Sequence, residues 1–472
     1  MSIRIKEIDK KVKSIFRQPK GFYRSALALM IPIVLQNIIT HLVGLTDAFM
    51  VGMLGEQFLA AMPVALAPLF IVMVFSFGVQ SGTGVLVAQY WGKGNLAAIN
   101  RVLGVGFYVT AVVASSAALA MYFFPHQILN LVTSDGELVA IAAQYSRIAA
   151  FSMALNAVSM LYFACHRSME NPRLGVIVLS ISAAFSIFGN WVLIFGNLGF
   201  PALGIRGAAI ATLCARILEV IIVIAHAFRN SYFRVKLNLL LKPGMTIFRD
   251  FVKYSMPVLV NELLWAFGAT LFPVIFGHMA GAQSILAAYS ISINIERLFA
   301  VTMFGCGGAA AIIIGREIGA GRQDRAISAA KTLTALGVAL GFGTGALLMI
   351  LRFTILEPLV FPLYELSRDA AAAAAIMLTI FAIVLPIRSM NFTMGLGALR
   401  GGGDVKAFMM VDVGTLYLVA LPIASITGLV FQLGIAFVYS ALLIEDIVKM
   451  MVLLMRVKSK KWIHDVTRDL IE

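Results

Sequence analysis

The chain is poor in charged residues: Asp, Glu, Lys and Arg together make up 13% of its 472 positions. Hydrophobic residues make up 60%, and the mean hydropathy is +0.93. A water-soluble domain of this composition would expose a largely apolar surface, so the balance excludes the soluble globular classes. The sequence therefore predicts a membrane protein with many spanning segments.

Cysteine is scarce, and a nucleotide-binding motif is missing. The three cysteines are far apart: Cys165, Cys214 and Cys306. This spacing suits neither a disulfide framework nor a zinc site, so we interpret them as small packing residues. No Walker lysine motif is present, and the glycines Gly341 and Gly345 lie in an apolar run, where they favour close helix packing. We therefore predict neither an enzyme nor a resident cofactor, and no metal beyond a transient Na⁺.

Acidic residues are outnumbered by basic ones, 23 against 37, which gives a formal net charge of +14. In a soluble protein this excess would suggest nucleic acid, but here the basic residues cluster in short stretches between apolar runs. They concentrate before the first run, in a central loop, after the eighth run and in the tail. Because positive residues accumulate on the cytoplasmic side, we predict cytoplasmic termini, a plasma (inner) membrane location and no nucleic-acid partner.

Twelve apolar runs are long enough to cross a bilayer, which takes about 20 residues. They lie at 25–52, 58–90, 102–124, 138–164, 174–196, 207–228, 254–276, 285–314, 327–351, 370–398, 407–430 and 434–455. We predict an all-α membrane protein with twelve transmembrane helices in two six-helix lobes. The predicted parts are a basic segment 1–24, a lobe 25–228, a linker 229–253, a lobe 254–455 and a tail 456–472.

The two halves of the sequence resemble each other at nearly constant offsets. Leu59 and Gly92 match Leu286 and Gly319 at an offset of 227. Pro32 matches Pro257 at 225, Leu203 matches Leu433 at 230, and Arg167 matches Arg400 at 233. Since each half has an even number of spans, both begin on the same side of the membrane. This predicts a parallel repeat, with a pseudo-two-fold axis along the membrane normal, in which lobes rock to alternate access.

The first span carries more polar residues than a passive anchor needs. Gln36, Thr40 and Asp47 fall within roughly 40° of one another at 100° per residue, and Pro32 favours a bend. A carboxylate facing lipid would cost several kcal/mol, so this face must contact protein or water. Two interpretations stay open: an ion or substrate path, or a buried polar cluster that only joins helices.

Several ordered motifs resemble one family. These are Pro32 with the downstream TDAFMVGMLG…LAA, then AQYWGKGN, NWVLIFGNLGFPALGIRGAAIAT and GALRGGGD. Together they resemble the MATE family of multidrug and toxic compound extrusion transporters, in its bacterial NorM-like branch, over essentially the whole chain. The resemblance implies twelve helices in two lobes around a central cavity. It also implies export of cationic or amphiphilic compounds in exchange for Na⁺ or H⁺.

The resemblance assigns roles to individual residues. Asp47 fits the first-helix carboxylate of the family, because it follows Pro32 at the family's spacing. Asn190 occupies a fifth-helix position that is an aspartate in other branches, and Glu262 resembles the seventh-helix acid. The tenth-helix acid of the NorM-like cation site is missing, since Ser389, beside Arg388, takes its place. We therefore expect Asp47 and Glu262 to bind the coupling ion or proton, as against being fixed hydrogen-bonded acids.

The remaining polar residues of the spans divide into cavity and structural groups. Those expected at the cavity or the substrate are Gln36, Thr40, Asn190, Trp265 and Arg388, with Asn37, His41, Glu296 and Asp412 as further possibilities. Arg388 needs a partner, for which Glu262, Glu296 and Asp412 are the alternatives. His41, the one histidine clearly within a predicted span, is typical of a packing donor, and Asp412 near Lys406 is typical of a neutralised helix end.

Two further pairings are expected to be structural. Arg216 and Glu219 lie three residues apart on the sixth span, and Glu445 and Asp446 lie close to Lys449 on the twelfth. Opposite charges at helical spacing can satisfy each other within a span.

The function predicted from the sequence is secondary active efflux of drugs or toxic metabolites by Na⁺- or H⁺-coupled antiport. Two alternatives remain: a flippase for a lipid-linked precursor, which would need a strongly basic cavity, and a non-transporting membrane scaffold or receptor. Membrane lipids are expected contacts. The sequence does not indicate an oligomeric state, and a monomer would suffice for antiport.

Overall fold

The computed structural model describes residues 18–229 and 232–468. Most of the basic N-terminal segment, residues 1–17, and the last four residues of the tail lie outside these ranges. Within them the chain is helical, apart from one isolated bridge between Gly403 and Ile463. The all-α class predicted from the sequence is confirmed.

Twelve long helices follow one another in the described ranges, and we number them in chain order. In the first half they are α1 Lys20–Gly52, α2 Glu56–Lys93, α3 Leu96–Phe123, α4 Gly136–Ser168, α5 Arg173–Phe195 and α6 Ile205–Arg229. In the second half they are α7 Met245–Gly277, α8 Ala282–Gly319, α9 Gln323–Leu363, α10 Arg368–Arg400, α11 Val405–Val430 and α12 Ile435–Lys458. Each corresponds to one predicted span, with ends displaced by a few residues.

Eleven of these helices, α1 to α11, are long and apolar enough to cross a membrane by length and composition. The twelfth, α12, is also long, at 24 residues, but it carries Glu445, Asp446 and Lys449 within little more than one turn. These three side chains are buried, so the charges of α12 contact protein. The chain is therefore a multi-pass membrane protein, and α12 completes the predicted twelve helices.

The chain divides into two compact units, and each is described by itself. Of the described residues, the C-unit comprises those up to Val34 together with Leu264–Thr467. The N-unit comprises the described residues of Leu35–Leu263 and Arg468. Of the three changes of unit, two fall inside a helix, α1 or α7, the third falls in the tail after Thr467, and none falls in the linker at 229–253. The lobe boundaries predicted from the sequence stay a prediction.

The N-unit is built around a core of small and medium apolar side chains. Val51 of α1, Ala61 of α2, Tyr145 of α4 and Ile205 of α6 belong to one buried cluster. The helices α5 and α6 approach closely, because a Cβ atom on Gly207 would lie 2.4 Å from the carbonyl oxygen of Leu193. This close approach fixes the register in which polar side chains of α5 and α6 face their neighbours.

The C-unit has two large cores. In one, Ile33 of α1 packs with Ile313 of α8, Met394 of α10 and Trp462 of the tail. In the other, Phe276 of α7 packs with Tyr439 of α12 and its neighbours.

The predicted close packing through Gly341 and Gly345 is confirmed. A Cβ on Gly345 would lie 2.5 Å from the Ala382 carbonyl oxygen, and one on Gly341 would lie 2.6 Å from the Cα of Pro386. These glycines therefore let α9 lie directly against α10.

Candidate functional site

The polar centre of the N-unit is a hydrogen bond between α1 and α5. The Asn190 side-chain amide donates from Nδ2 to Oδ1 of Asp47 over 2.5 Å. Asn190 is fully buried, while Asp47 is partly accessible. The Oδ1 atom of Asn190 is buried and has no hydrogen-bond partner within residues 18–229 and 232–468. The first-helix carboxylate and the fifth-helix amide singled out from the sequence thus lie in direct contact.

The register that brings Asp47 to Asn190 is set further down the same two helices. Gln36 donates from Nε2 to the carbonyl oxygen of Pro172 over 2.7 Å, just before α5 begins. A Cβ on Gly175 would lie 2.5 Å from that Nε2 atom, so only glycine leaves room for it. Gln36 also accepts a long hydrogen bond, 3.5 Å, from Nη1 of Arg167. Gln36 therefore acts as a contact between α1 and the α4–α5 turn.

Gln36 and Asp47 do not form one site, although they share a helix face. They are eleven residues apart, which corresponds to about 16 Å along an α-helix. Thr40 lies between them, is exposed, and donates its hydroxyl to the Gln36 carbonyl oxygen. Of the other polar residues of α1, Asn37 is partly buried and His41 is exposed.

A second charged group lies near Asp47 on α6. Arg216 donates from Nη1 to Oε2 of Glu219 over 2.5 Å, which confirms the pairing expected from their spacing. Arg216 interacts electrostatically with Asp47, as does the buried Tyr145 of α4. Glu219 is fully buried, and its Oε1 atom has no hydrogen-bond partner in the described part of the chain.

The charges of this group do not balance. One cation, Arg216, serves two carboxylates, Glu219 and Asp47, and its short ion pair is with Glu219. The direct partner of Asp47 is a neutral amide. The group of Asp47, Asn190, Tyr145, Arg216 and Glu219, which we call the N-site, thus contains two carboxylates and one guanidinium, and the guanidinium is paired with Glu219.

The remaining predicted residues are distributed over both units. Glu262 is a partly exposed residue of α7 in the N-unit, and Trp265, three residues later, is half exposed in the C-unit. Arg388, Glu296 and Asp412 all lie in the C-unit.

The predicted partners of Arg388 were wrong. Its guanidinium binds Asp446 of α12, with 2.9 Å between Nε and Oδ2. Asn391, one turn from Arg388, donates to the same carboxylate over 3.1 Å. The reason is that α10 packs against α12, so a residue of α10 meets the nearest acid of α12. The alternatives considered from the sequence were Glu262, Glu296 and Asp412.

Asp412 also has an ion pair with another helix, which the sequence did not indicate, and the expectation that it neutralises the end of its own helix stays a prediction. Asp412 binds Lys449 of α12 over 2.9 Å, and Lys449 binds Glu445 over 2.7 Å. The pair Glu445–Lys449 within α12 confirms one of the pairings expected from helical spacing. Glu296 of α8 accepts a hydrogen bond from the hydroxyl of Tyr439 of α12. Asp412 and Glu445 thus share Lys449, Asp446 pairs with Arg388, and Glu296 meets a hydroxyl.

The interpretation of His41 as the one histidine within a span was wrong. His166 is fully buried near the end of α4, with its ring 5.1 Å from that of His226 on α6. The hydroxyl of Tyr162 lies 3.0 Å from Nδ1 of His226. The predicted fourth span, 138–164, ended two residues short of His166, whereas the predicted sixth span, 207–228, already contained His226 near its end.

Sequence reasoning missed three residues that contact the acids of the N-site and of the C-unit. Tyr145, Tyr439 and Asn391 are ordinary constituents of apolar spans, and their significance lies in the acid that each one meets. The available signal was a hydroxyl or amide within a helix otherwise composed of apolar residues, which is too common to single out one position.

The fold and the paired buried charges together define a polytopic membrane protein of the transporter class. The sequence profile described as MatE matches residues 32–192 and again residues 257–426, together more than two thirds of the chain. The two matches begin at Pro32 and Pro257, the prolines that the internal repeat pairs. The chain belongs to the MatE family of multidrug and toxic compound extrusion transporters.

Individual relatives agree with this assignment. The chain is 23% identical to a probable multidrug resistance protein NorM of Thermotoga maritima over 93% of each chain. It is 25% identical to the multidrug resistance protein MdtK of Pectobacterium atrosepticum, over 84% of this chain and 86% of that one. It is also 24% identical to the uncharacterized transporter YisQ of Bacillus subtilis, over 95% and 97%.

Solved structures share the fold at low sequence identity. A crystal structure of a MATE P26A mutant superposes with a TM-score of 0.84 at 17% identity, covering 95% of this chain and 98% of that one. The eukaryotic MATE transporter AtDTX14 gives a TM-score of 0.82 at 18% identity, covering 96% and 98%. The resemblance to the MATE family found in the sequence is thus confirmed.

Proposed function

We propose that this protein is a secondary active antiporter that exports cationic or amphiphilic small molecules in exchange for Na⁺ or H⁺, by alternating access. The observation that carries the proposal is the N-site, where Asp47 is bound by a neutral amide and the nearby cation is held by Glu219. Such a carboxylate can be neutralised by a proton, by Na⁺ or by a cationic drug, but not by two of them at once. This competition is the physical basis of exchange.

The other residues have supporting parts in the proposal. Asn190 orients the Asp47 carboxylate, and its unpartnered Oδ1 atom offers a neutral oxygen to an incoming cation. Glu262 is proposed as a second coupling acid. Gln36 contributes through the register of α1 and α5, since its amide is already bonded to Pro172. Trp265, half exposed, supplies an aromatic face for amphiphilic cations.

The setting follows from charge placement and from the relatives. We infer a bacterial plasma membrane with both termini on the cytoplasmic side, because basic residues concentrate in the terminal and central loops. Several relatives are named multidrug resistance proteins, which favours drugs and toxic metabolites as substrates. A monomer surrounded by membrane lipids is sufficient for this mechanism.

The structure weighs against a lipid-linked precursor flippase. That function needs an excess of positive charge to hold a phosphate-bearing head group. Arg388 is neutralised by Asp446, and Arg216 is neutralised by Glu219. Neither cation is therefore available as a fixed phosphate ligand.

The test is ethidium efflux from proteoliposomes that contain the full chain, with a Na⁺ gradient alone or a pH gradient alone. We expect efflux with one of the two gradients, and we expect Asp47→Asn to abolish it while the protein stays folded. The matched control is Glu56→Gln, which removes an exposed acid at the start of α2 and should leave efflux unchanged. Full gradient-driven efflux by Asp47→Asn would remove the N-site from the mechanism.

A further inference from the structure

The C-unit contains a buried acid that has no cation of its own. Glu296 of α8 is 6% exposed. Its direct partner is the hydroxyl of Tyr439, which donates a hydrogen bond to Oε1. No ion pair reaches Glu296 within residues 18–229 and 232–468, whereas Asp446 and Glu445 each have one.

The charged groups around Glu296 are already engaged. Arg388 of α10 acts on Glu296 electrostatically, but its guanidinium is bound to Asp446. Glu445 of α12 is bound to Lys449. On α8 itself, Tyr289 interacts electrostatically with Glu296, and the neighbouring Arg297 is exposed.

Two buried polar oxygens, one on α8 and one on α10, are unsatisfied. The hydroxyl of Ser292 lies one helical turn before Glu296, on the same face of α8, and is fully buried. Asn391 of α10 is 3% exposed, and its amide already donates to Asp446. Neither Ser292 Oγ nor Asn391 Oδ1 has a hydrogen-bond partner within the described ranges of the chain. The Ser292 hydroxyl, on the same helix face, can accept a hydrogen bond of the kind that a protonated carboxyl would supply.

An ionised carboxylate held in this way is costly, because burial without a cation disfavours the charged form. Burying the neutral carboxyl costs much less free energy, and its O–H group can itself donate a hydrogen bond. The Tyr439 hydroxyl is bonded to Oε1, which leaves Oε2 as the oxygen open to a proton. A proton would therefore add to the other oxygen, Oε2, forming one O–H bond with no transfer of electrons.

We propose that Glu296 is a second proton-binding group of the transport cycle, located in the C-unit and positioned by Tyr439. It holds a proton while the surrounding helices keep water out, and it releases the proton when water reaches the carboxyl. The proposal rests on the antiport function proposed above and adds a proton to its stoichiometry.

The test uses infrared difference spectroscopy of the full chain in lipid during a pH titration, where a protonated buried carboxyl gives a carbonyl stretching band. We expect Glu296→Gln to remove one such band and Tyr439→Phe to shift its frequency without removing it, because the acid remains but loses its donor. The matched control is Glu445→Gln, which removes a buried but ion-paired acid and should leave the band in place. An unchanged band in Glu296→Gln would overturn the proposal.

A transport measurement completes the test. The proton-to-ethidium ratio, obtained from the membrane potential at which net exchange in proteoliposomes stops, should fall by one in Glu296→Gln. An unchanged ratio would exclude Glu296 from the cycle. Absence of any ethidium exchange by the unmodified protein would refute the antiport function, while the infrared band would still decide whether Glu296 binds a proton.

Discussion

The helices α6 and α12 occupy equivalent places in the repeat, yet their charges are reversed. Both helices begin at an isoleucine, 230 residues apart. At the same offset Arg216 corresponds to Asp446, and Glu219 corresponds to Lys449. In α6 the two charges pair with each other, whereas in α12 each turns to a neighbouring acid or base on α10 or α11. The repeat therefore preserves where charges are buried but not their sign or partner.

Asp47 and Glu296, the two acids discussed above without an ion pair of their own in the described ranges, also lie at positions where the repeat keeps the helix but changes the side chain. Asp47 corresponds to Phe272 at the repeat offset of 225, and Glu296 corresponds to Leu69 at 227. Both counterparts belong to apolar cores. Each half thus carries its acid at a position where the other half is packed with hydrocarbon. Two copies of one fold can in this way bind cations at sites that are not equivalent.

The largest effect should come from removing the cation of α12. Lys449→Met leaves Asp412 and Glu445 buried without their shared partner, and breaking a buried pair typically costs about 3–5 kcal/mol. We expect a large fall in the melting temperature of the purified protein in detergent, followed by circular dichroism. Adding Asp412→Asn and Glu445→Gln to Lys449→Met should recover much of the loss. A melting temperature unchanged by Lys449→Met would contradict the assignment of these contacts.

The equivalent change in α6 should affect transport more than stability. Glu219→Gln releases Arg216, which can then neutralise Asp47 as a fixed cation. We expect the efflux rate to fall on the order of tenfold, equivalent to about 1.4 kcal/mol.

The double variant Arg216→Gln with Glu219→Gln separates this explanation from misfolding. Removing both charges leaves Asp47 without a competing cation, so efflux should recover relative to Glu219→Gln alone. If the double variant transports no better than Glu219→Gln, then Arg216 does not act on Asp47 in this way.

Much of the fold could be predicted because the length of an apolar run and the charges within it can be seen in that run alone. The twelve helices, the pair Arg216–Glu219 and the contact glycines Gly341 and Gly345 depend on spacing within a helix or on residue size. The family resemblance singled out Asp47 and Asn190 as individual positions, but not the contact between them. These features required no knowledge of which helices become neighbours.

The partners that the sequence did not indicate lie on different helices. Arg388 meets Asp446, 58 positions away, because α10 packs on α12, and no spacing rule connects these two positions. Asp412 turns to Lys449 for the same reason. Helix neighbours and rotations are set by the packing of both units, which a single sequence does not reveal.

The smallest effect concerns the start of α3 and of its counterpart α9. Asn95 caps α3, accepting a hydrogen bond at Oδ1 from the backbone N–H of Ala98 over 2.9 Å, whereas Arg322, 227 positions later, caps α9 without one. Arg322 instead binds Glu317 over 2.7 Å. Asn95→Ala should therefore lower the free energy of unfolding by about 1 kcal/mol, measured by thermal melting in detergent.

The matched variants are Asn95→Asp and Arg322→Ala. Asn95→Asp keeps a capping oxygen and should melt close to the unmodified protein. Arg322→Ala removes only a partly exposed ion pair, so its effect should be smaller than that of Asn95→Ala. Equal destabilisation by Asn95→Ala and Asn95→Asp would mean that the amide acts through a contact other than the cap. In that case neither α3 nor α9 would depend on a side-chain cap at its first turn, although the residues there differ.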